Sequence, residues 1–290
     1  MILKELLQSA ATELEQAGVE NGLDNARLLL ESCLGKNRTE IFLLADSRVN
    51  SVSQSHYRQL IDRRKRREPV AYILGECEFW SLPFYVTPDV LIPRPETEFL
   101  LDRVLSLTTS SNLLSGKILD LCCGSGVIAI VMAKETGQKI IALDISGGAL
   151  QVAKINAQRH KVNNEVDFVQ ADLFSSLRSK GVFSLIVSNP PYVSRFDLDN
   201  SLEPDVTCFE PHLALDGGDS GLEVIRKLRH MLPFILKPGG EVYIEIGADQ
   251  GDEVRTLFFE EIENSPPFDL VEILVDYAGR DRVLHGILHG

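Results

Sequence analysis

The fold is indicated most strongly by the segment Ile118-Leu119-Asp120-Leu121-Cys122-Cys123-Gly124-Ser125-Gly126. Its first four residues have the apolar pattern of a buried strand, and the residues from 127 to 136 indicate a helix directly after the second glycine. Glycine in such a turn lets the backbone approach a ligand closely, and the N-terminus of the helix favours polar or anionic groups. Ala129 stands where the fingerprint G-x-G-x-x-G has its third glycine, so a dinucleotide-dependent dehydrogenase is disfavoured.

Strands and helices alternate from this turn onward. The pattern predicts strands at 118–121, 139–143, 166–169, 183–187 and 241–246, and helices at 127–136, 146–160 and 220–236. Two further apolar runs, at 270–275 and 282–288, follow with no clear helix between them. Alternation of this kind predicts an α/β fold with helices on both faces of a parallel sheet. The final two runs are interpreted as an antiparallel hairpin at the edge of this mostly parallel seven-stranded sheet.

The region before the turn divides into two parts. Residues 1–67 show helical spacing of apolar residues, with Gly18 and Gly35 as stops and Asp24 as a cap, which predicts a small helical bundle. We expect this bundle to position a partner. Residues 68–95 contain five prolines interspersed with aromatic residues and are interpreted as a β-hairpin linker rather than helix. Residues 96–290 then form the α/β domain, whose first helix opens at Pro95.

Composition and charge exclude several classes of protein. The 290 residues are 44% hydrophobic and 24% charged, which is typical of a globular chain. No apolar run approaches the roughly 18–20 residues that cross a bilayer. The five cysteines form no C-x-x-C pair, and the histidines show no metal-ligand spacing, so we expect a reduced, cytoplasmic protein without a metal. We expect a monomer.

The charge is unevenly distributed. The net charge is −13, and residues 91–290 hold 18 basic against 29 acidic residues, so this part is a poor nonspecific ligand for nucleic acids. The exception is the basic run from Arg63 to Arg67. We interpret it as a solvated helix end; the alternative is an electrostatic contact with a nucleic-acid-bearing partner.

Acidic residues follow the next two strands. Asp144 ends the second strand, 18 residues after Gly126, and a carboxylate there can accept both hydroxyls of a ribose. Asp172 follows the third strand and could accept from an adenine amino group. Either acid alone is more often a cap or turn former. Together with the glycine turn, they predict a nucleoside ligand at the carboxyl edge of the sheet.

The fourth strand is followed by Ser188-Asn189-Pro190-Pro191-Tyr192. Two prolines stiffen the turn and remove two backbone donors. The Asn189 side-chain oxygen and the Pro190 carbonyl could accept both N–H groups of one planar NH2 group. The alternative is a rigid loop without a chemical role. Arg94, Glu96 and Glu245 are weaker candidates: the first two could line a cleft or form salt bridges, and Glu245 is interpreted as structural.

These motifs together resemble the release-factor glutamine methyltransferases (PrmC/HemK), a family with a Rossmann-like domain among the class I S-adenosylmethionine-dependent methyltransferases. The resemblance spans nearly the whole chain. In order, its motifs are Ile92-Pro93-Arg94-Pro95-Glu96-Thr97-Glu98, the glycine turn, Asn189-Pro190-Pro191-Tyr192, the segment 210–222, Leu236-Lys237-Pro238-Gly239-Gly240 and Ala278-Gly279-Arg280-Asp281-Arg282.

The resemblance implies a substrate and a set of site residues. The substrate is the glutamine of the Gly-Gly-Gln motif in class 1 peptide-chain release factors, methylated on its side-chain nitrogen, N5. Asn189 and Pro190 are the implied catalytic residues, and Pro191 and Tyr192 join them in binding the glutamine. The implied cofactor-binding residues are Cys122, Cys123, Gly124, Ser125, Gly126, Asp144, Asp172, Leu173 and Asn189.

The chain departs from the family pattern at two places, and other functions compete. Cys122 and Cys123 stand where the family usually has Gly-Thr, and Leu173 stands where some members have an aromatic residue. The main alternative is an amino-methyltransferase acting on adenine or cytosine in nucleic acid, which needs a basic cleft for a flipped base. A non-catalytic binding protein on the same fold is the second alternative, although Asp144 and Asn189 are both present.

Overall fold

A computed structural model describes residues 1–108, 116–173, 181–260 and 267–290. The chain divides into two compact units, one formed by Met1–Glu76 with Glu203–Phe209 and the other by Cys77–Leu202 with Glu210–Gly290. In the part of the chain described, no helix is long and apolar enough to cross a membrane.

The first unit is helical. Its elements are α1 (Leu3–Gln16), α2 (Gly22–Leu34), α3 (Arg38–Leu43), α4 (Ser51–Lys65), α5 (Val70–Leu74) and α10 (Pro204–Phe209). The apolar faces of α1, α2 and α4 meet in one core that includes Leu14, Leu29 and Tyr57. Gly35 ends α2 in the left-handed conformation, as predicted. Asp24 lies inside the first turn of α2 instead of capping it, because the helix already begins at Gly22.

The basic run belongs to this helical unit and is paired within it. Arg63 pairs with Glu68, and both Arg64 and Arg67 pair with Asp205 at 2.5 Å. The Arg64 side chain is 7% exposed, so the interpretation of the run as solvated is wrong at that residue. The long-range ion pairs could not be seen from local charge spacing.

The second unit is the α/β domain. A two-stranded sheet, β1 (Glu76–Phe79) and β2 (Leu82–Tyr85), precedes it. The main sheet contains β3 (Lys117–Leu121), β4 (Ile140–Asp144), β5 (Val166–Gln170), β6 (Phe183–Ser188), β7 (Leu236–Glu245), β8 (Phe268–Val275) and β9 (Asp281–Leu288). Its helices are α6 (Pro95–Thr108), α7 (Val127–Thr136), α8 (Gly147–Arg159), α9 (Arg195–Asn200), α11 (Glu223–Ile235) and α12 (Gly251–Phe259).

The order of the seven strands is β5-β4-β3-β6-β7-β9-β8. The first five in this order run parallel, whereas β9 is antiparallel to both β7 and β8. Two apolar cores cover the two faces of the sheet. The predicted α/β fold with its antiparallel edge hairpin is therefore confirmed. Because β5, β4, β3 and β6 are parallel neighbours, their carboxyl ends meet at one edge.

One prediction about elements is wrong, and one helix was not predicted. Residues 70–74 form α5 rather than β structure, since Pro69 suits the start of a helix and Gly75, at φ 71°, ends it. The region between the strand predicted at 241–246 and the final hairpin contains α12. Its buried residues Val254, Leu257 and Phe258 have the i, i+3, i+4 spacing of an amphipathic helix.

Candidate active site

The glycine turn connects β3 to α7 through residues in the left-handed conformation. Cys122, Gly124 and Gly126 have φ values of 59°, 53° and 81°. The Cys123 N–H donates to the Leu143 carbonyl at 2.9 Å, which fixes the turn to the end of β4. Asp120 is fully buried and accepts the Ala129 N–H at 3.0 Å, so its side chain ties the end of β3 to α7.

Asp144 sits at the end of β4, beside the turn. Its two oxygens accept the Gly124 N–H at 2.8 Å and the Ser146 N–H at 2.9 Å. Burial raises the pKa of Asp144, although these two hydrogen bonds favour the ionised form. A carboxylate held in this way is oriented and still has lone pairs with which to accept from a ligand. Asp172, after β5, is exposed.

The segment 188–192, which we call the Asn189 corner, follows β6 and is held by contacts on several sides. The Ser188 hydroxyl donates to the Leu121 carbonyl at 2.9 Å, and Gln250 Nε2 donates to the Tyr192 carbonyl at 2.9 Å. Glycine is required nearby: a Cβ on Gly221, at φ 78°, would lie 2.6 Å from the Tyr192 carbonyl oxygen. The backbone of the corner is therefore fixed by its neighbours.

A buried carboxylate lies behind the corner. Glu245, at the end of β7, is fully buried and accepts from Thr97 Oγ1 at 2.7 Å and from the Tyr192 hydroxyl at 3.1 Å. Asn189 Nδ2 in turn donates to Thr97 Oγ1 at 3.1 Å. Burial raises the pKa of Glu245 to about 7, against the effect of the two hydrogen bonds.

One cavity of about 330 Å³ joins the turn, the strand-end acids and the corner. Most of the predicted site residues line it, namely Cys122, Cys123, Gly124, Ser125, Asp144, Asp172, Leu173, Asn189 and Pro191. Gly126, Pro190 and Tyr192 lie outside its wall. Gly126 instead caps α7, and Tyr192 binds Glu245 through its hydroxyl rather than facing the cavity.

Sequence reasoning missed several residues of this wall. Thr97 and Ile145 both line the cavity, and Ile145 is an exposed apolar residue directly after Asp144. A short helical turn, His212–Ala214, also contributes. Glu210, just before this turn, pairs with Arg94 at 2.5 Å and accepts the Ile92 N–H at 3.1 Å. Arg94 therefore both lines the cavity and forms a salt bridge, the two roles that the sequence left open.

The charges and thiols of the wall limit its chemistry. Four carboxylates, of Asp89, Asp144, Asp172 and Asp216, face the cavity together with Arg94 and Lys227, so the wall is net acidic. Burial raises the pKa of the Cys122 thiol to about 12 and that of Cys123 well above its usual value, so neither is a ready nucleophile. Within the described residues, no group of three or more His, Cys, Asp or Glu side chains could hold a metal ion.

Comparison with solved structures identifies the fold. The hMettl16 catalytic domain, solved in complex with MAT2A 3'UTR hairpin 6, is 14% identical with a TM-score of 0.53, over 78% of this chain and 81% of that one. A methyltransferase from Pyrococcus furiosus is 16% identical with a TM-score of 0.51, over 78% of this chain and 98% of that one. At these identities the likeness concerns the fold alone.

Comparison of sequences is more specific. Residues 5–75 match the PrmC N-terminal domain, and residues 96–207 match the Methyltransferase small domain. The release factor glutamine methyltransferase of Clostridium acetobutylicum is 34% identical over 292 residues, the whole of both chains. That of Vibrio cholerae is 38% identical over 281 residues, 97% of this chain and 94% of its own. The chain therefore belongs to the release factor glutamine methyltransferase family, whose cofactor is S-adenosylmethionine.

Proposed function

We propose that this enzyme transfers the methyl group of S-adenosylmethionine to the side-chain nitrogen, N5, of the glutamine in the Gly-Gly-Gln motif of class 1 peptide-chain release factors. One observation supports this most directly. A single cavity contains both the strand-end acids Asp144 and Asp172 and the acceptor side chain of Asn189. A nucleoside site and a site for an NH2 group therefore share one space.

The wall of the cavity fits the cofactor. Its volume is in the range of small-molecule sites. In our proposal Asp144, whose carboxylate is held by two backbone N–H groups, accepts from the ribose hydroxyls, and Asp172 accepts from the adenine amino group. Ile145 and Leu173 supply apolar contact for the base, without the aromatic stacking that some family members have. S-adenosylmethionine would supply an electrophilic methyl group on a cationic sulfonium, which suits the net acidic wall. The transfer would leave S-adenosylhomocysteine as the product, and the substrate nitrogen would lose one proton to water or a neighbouring carbonyl.

In our proposal the Asn189 corner binds the side-chain carboxamide of the substrate glutamine. A carboxamide nitrogen is a weak nucleophile because its lone pair is delocalised into the carbonyl. In our proposal Asn189 Oδ1 and the carbonyl of Pro190, which stands between the wall residues Asn189 and Pro191, accept its two N–H groups. This orients the nitrogen and stabilises the positive charge that develops there. Pro191 forms the adjoining wall. Tyr192 supports Glu245 instead of covering the amide.

The test is mass spectrometry of a purified class 1 release factor after incubation with this protein and S-adenosylmethionine. We expect a gain of one methyl group on the Gly-Gly-Gln peptide, located on the glutamine by fragmentation. Asn189→Ala is expected to lower turnover by at least about 100-fold, as removal of one charge-stabilising group does elsewhere, while cofactor affinity measured by calorimetry changes little. We call the two acceptors, Asn189 Oδ1 and the Pro190 carbonyl, the clamp. Wild-type turnover by Asn189→Ala contradicts this clamp.

Parallel incubations with duplex DNA and with tRNA test the nucleic-acid alternative. Methyl transfer to either, without transfer to the release factor, contradicts the proposed substrate. A cytoplasmic location follows from the proposal, because release factors act on ribosomes. The monomeric state and the lack of sequence-specific nucleic-acid binding stay predictions.

A further inference from the structure

We propose that Thr97 and Glu245 are positioning residues that set the orientation of the Asn189 amide, so that its oxygen is presented to the cavity. This inference rests on the proposed function, in which Asn189 Oδ1 accepts an N–H of the substrate. Thr97 comes from α6 and Glu245 from the end of β7, so two elements outside the corner determine what the corner presents.

The direction of the hydrogen-bond chain follows from what each group can donate. An ionised carboxylate only accepts, so the Thr97 hydroxyl hydrogen points at Glu245 Oε2. The Thr97 oxygen is then left to accept, and the partner facing it must be a donor. Asn189 therefore turns Nδ2 toward Thr97, at 3.1 Å, and leaves Oδ1 for the cavity.

The opposite amide orientation would disable the clamp. It would place Nδ2 against the NH2 group of the substrate, where two donors face each other. Free asparagine has no strong preference between the two orientations, because its amide is nearly symmetric in shape. The polarity of the Thr97–Glu245 pair removes this ambiguity, and burial protects the pair from water: Thr97 is 2% exposed and Glu245 is fully buried.

Protonation of Glu245 would reverse the chain. A neutral carboxyl can donate to the Thr97 oxygen, which frees the hydroxyl to donate to Asn189 Oδ1 and stabilises the wrong orientation. The groups that face Glu245 are Thr97 and Glu96 on α6, Tyr192 in the corner and Arg282 on β9. Burial, reinforced by Glu96 and opposed by Arg282 and the two hydrogen bonds, raises the pKa of Glu245 to about 7. Turnover should therefore rise with pH through this value.

The first test separates the hydroxyl from the shape of the side chain. Thr97→Val keeps the shape and loses the hydroxyl, whereas Thr97→Ser keeps the hydroxyl. We expect Thr97→Val to lower kcat by about 10- to 100-fold with little change in KM for the release factor, and to lose the rise in kcat near pH 7. Thr97→Ser should stay within about threefold of wild type and keep the rise. Thr256→Val, on the exposed side of α12, controls for the substitution itself.

Either of two results overturns the inference: Thr97→Val with the turnover of wild type, or Thr97→Ser as impaired as Thr97→Val.

The second test needs neither substrate nor cofactor. The side-chain amide signal of Asn189 in a ¹⁵N–¹H spectrum, assigned by its loss in Asn189→Ala, should shift between pH 6 and 8 in wild type and not in Thr97→Val. A signal that is insensitive to pH in wild type contradicts the inference. A signal that shifts as expected in an enzyme that methylates no glutamine supports the orientation and rejects the proposed substrate.

Discussion

Cys122 has a backbone φ of 59°, in the left-handed region that costs a non-glycine residue about 1–2 kcal/mol. The turn therefore has a conformation that glycine adopts without strain, although the residue is cysteine. The chain tolerates this because Cys123 and Gly124 anchor the turn to β4 through the Leu143 carbonyl and the Asp144 carboxylate. Hydrogen bonds to the neighbouring strand therefore offset the conformational free energy that the Cys122 backbone costs.

A pair of glycine substitutions tests this account. Cys122→Gly relieves the strain but loses about 0.5–1 kcal/mol to the greater freedom of the unfolded chain, so we expect unfolding free energy to rise by less than about 1 kcal/mol. Cys123→Gly removes a buried core side chain with no strain to relieve, and should lower the unfolding free energy by about 2 kcal/mol. Urea unfolding of the two variants measures the difference. Equal losses in both would show that Cys122 is not strained.

At the level of secondary-structure elements, one histidine connects side chains of the three strands at the antiparallel edge of the sheet. His285 on β9 lies between Glu241 on β7 and Glu272 on β8, at 3.0 and 2.7 Å, and stacks on Tyr243 with ring centroids 4.3 Å apart. Burial lowers the pKa of His285, but the hydrogen bonds to the two carboxylates outweigh it and raise the pKa above the usual value. The charged imidazole thus links three strands.

The stability of this edge should depend on pH. A histidine whose pKa is raised on folding stabilises fully below the unfolded value of about 6.5, and this contribution is lost as pH rises through the folded pKa. We expect His285→Gln to lower the unfolding free energy by about 1–2 kcal/mol more at pH 6 than at pH 9. Chemical denaturation at both pH values measures this. His289→Gln, at an exposed pair with Asp269, is the control and should show no such difference. If His285→Gln lowers the unfolding free energy equally at both pH values, the stability does not depend on the charge of His285.

At the scale of the whole molecule, the chain leaves the α/β unit and returns to the helical unit through Glu203–Phe209. Asp205 in this segment pairs with Arg64 and Arg67. The helical unit is therefore built from two distant parts of the sequence. A fragment that ends near residue 67 or 76 would lack the acid that pairs with the basic run.

Asp205→Asn should weaken the helical unit selectively. Because Arg64 is nearly buried, removal of its carboxylate partner leaves the charge with only the hydrogen bonds to Asn25 and the Glu68 carbonyl, and we expect a loss of about 2–3 kcal/mol in that unit. Hydrogen exchange should become faster in α2 and α4 and stay unchanged in β3 and β6. Asp219→Asn, at the exposed pair with Arg195, is the control. Unchanged exchange in α2 and α4 would show that Asp205 does not stabilise the unit.

Local sequence patterns were enough to predict the alternation of strands and helices, the antiparallel edge and the positions of Asp144, Asp172 and Asn189 after strands. These features depend on periodicity and on turn chemistry, which act between near neighbours in the chain. The short helix α5 and the amphipathic α12 were missed, although their local signals, Pro69 with Gly75 and the spacing of Val254, Leu257 and Phe258, were present.

The contacts that hold Asn189, in contrast, come from residues far away in the chain. Thr97 is 92 residues from Asn189 and 148 residues from Glu245, and no local pattern relates them. They meet because the sheet places the end of β6 beside that of β7, and Thr97 in the first turn of α6 forms hydrogen bonds to both side chains. The same holds for Asp205 and Arg64. Contacts of this kind depend on the order of strands and the return of the chain, which are set by packing of the whole unit rather than by neighbouring residues.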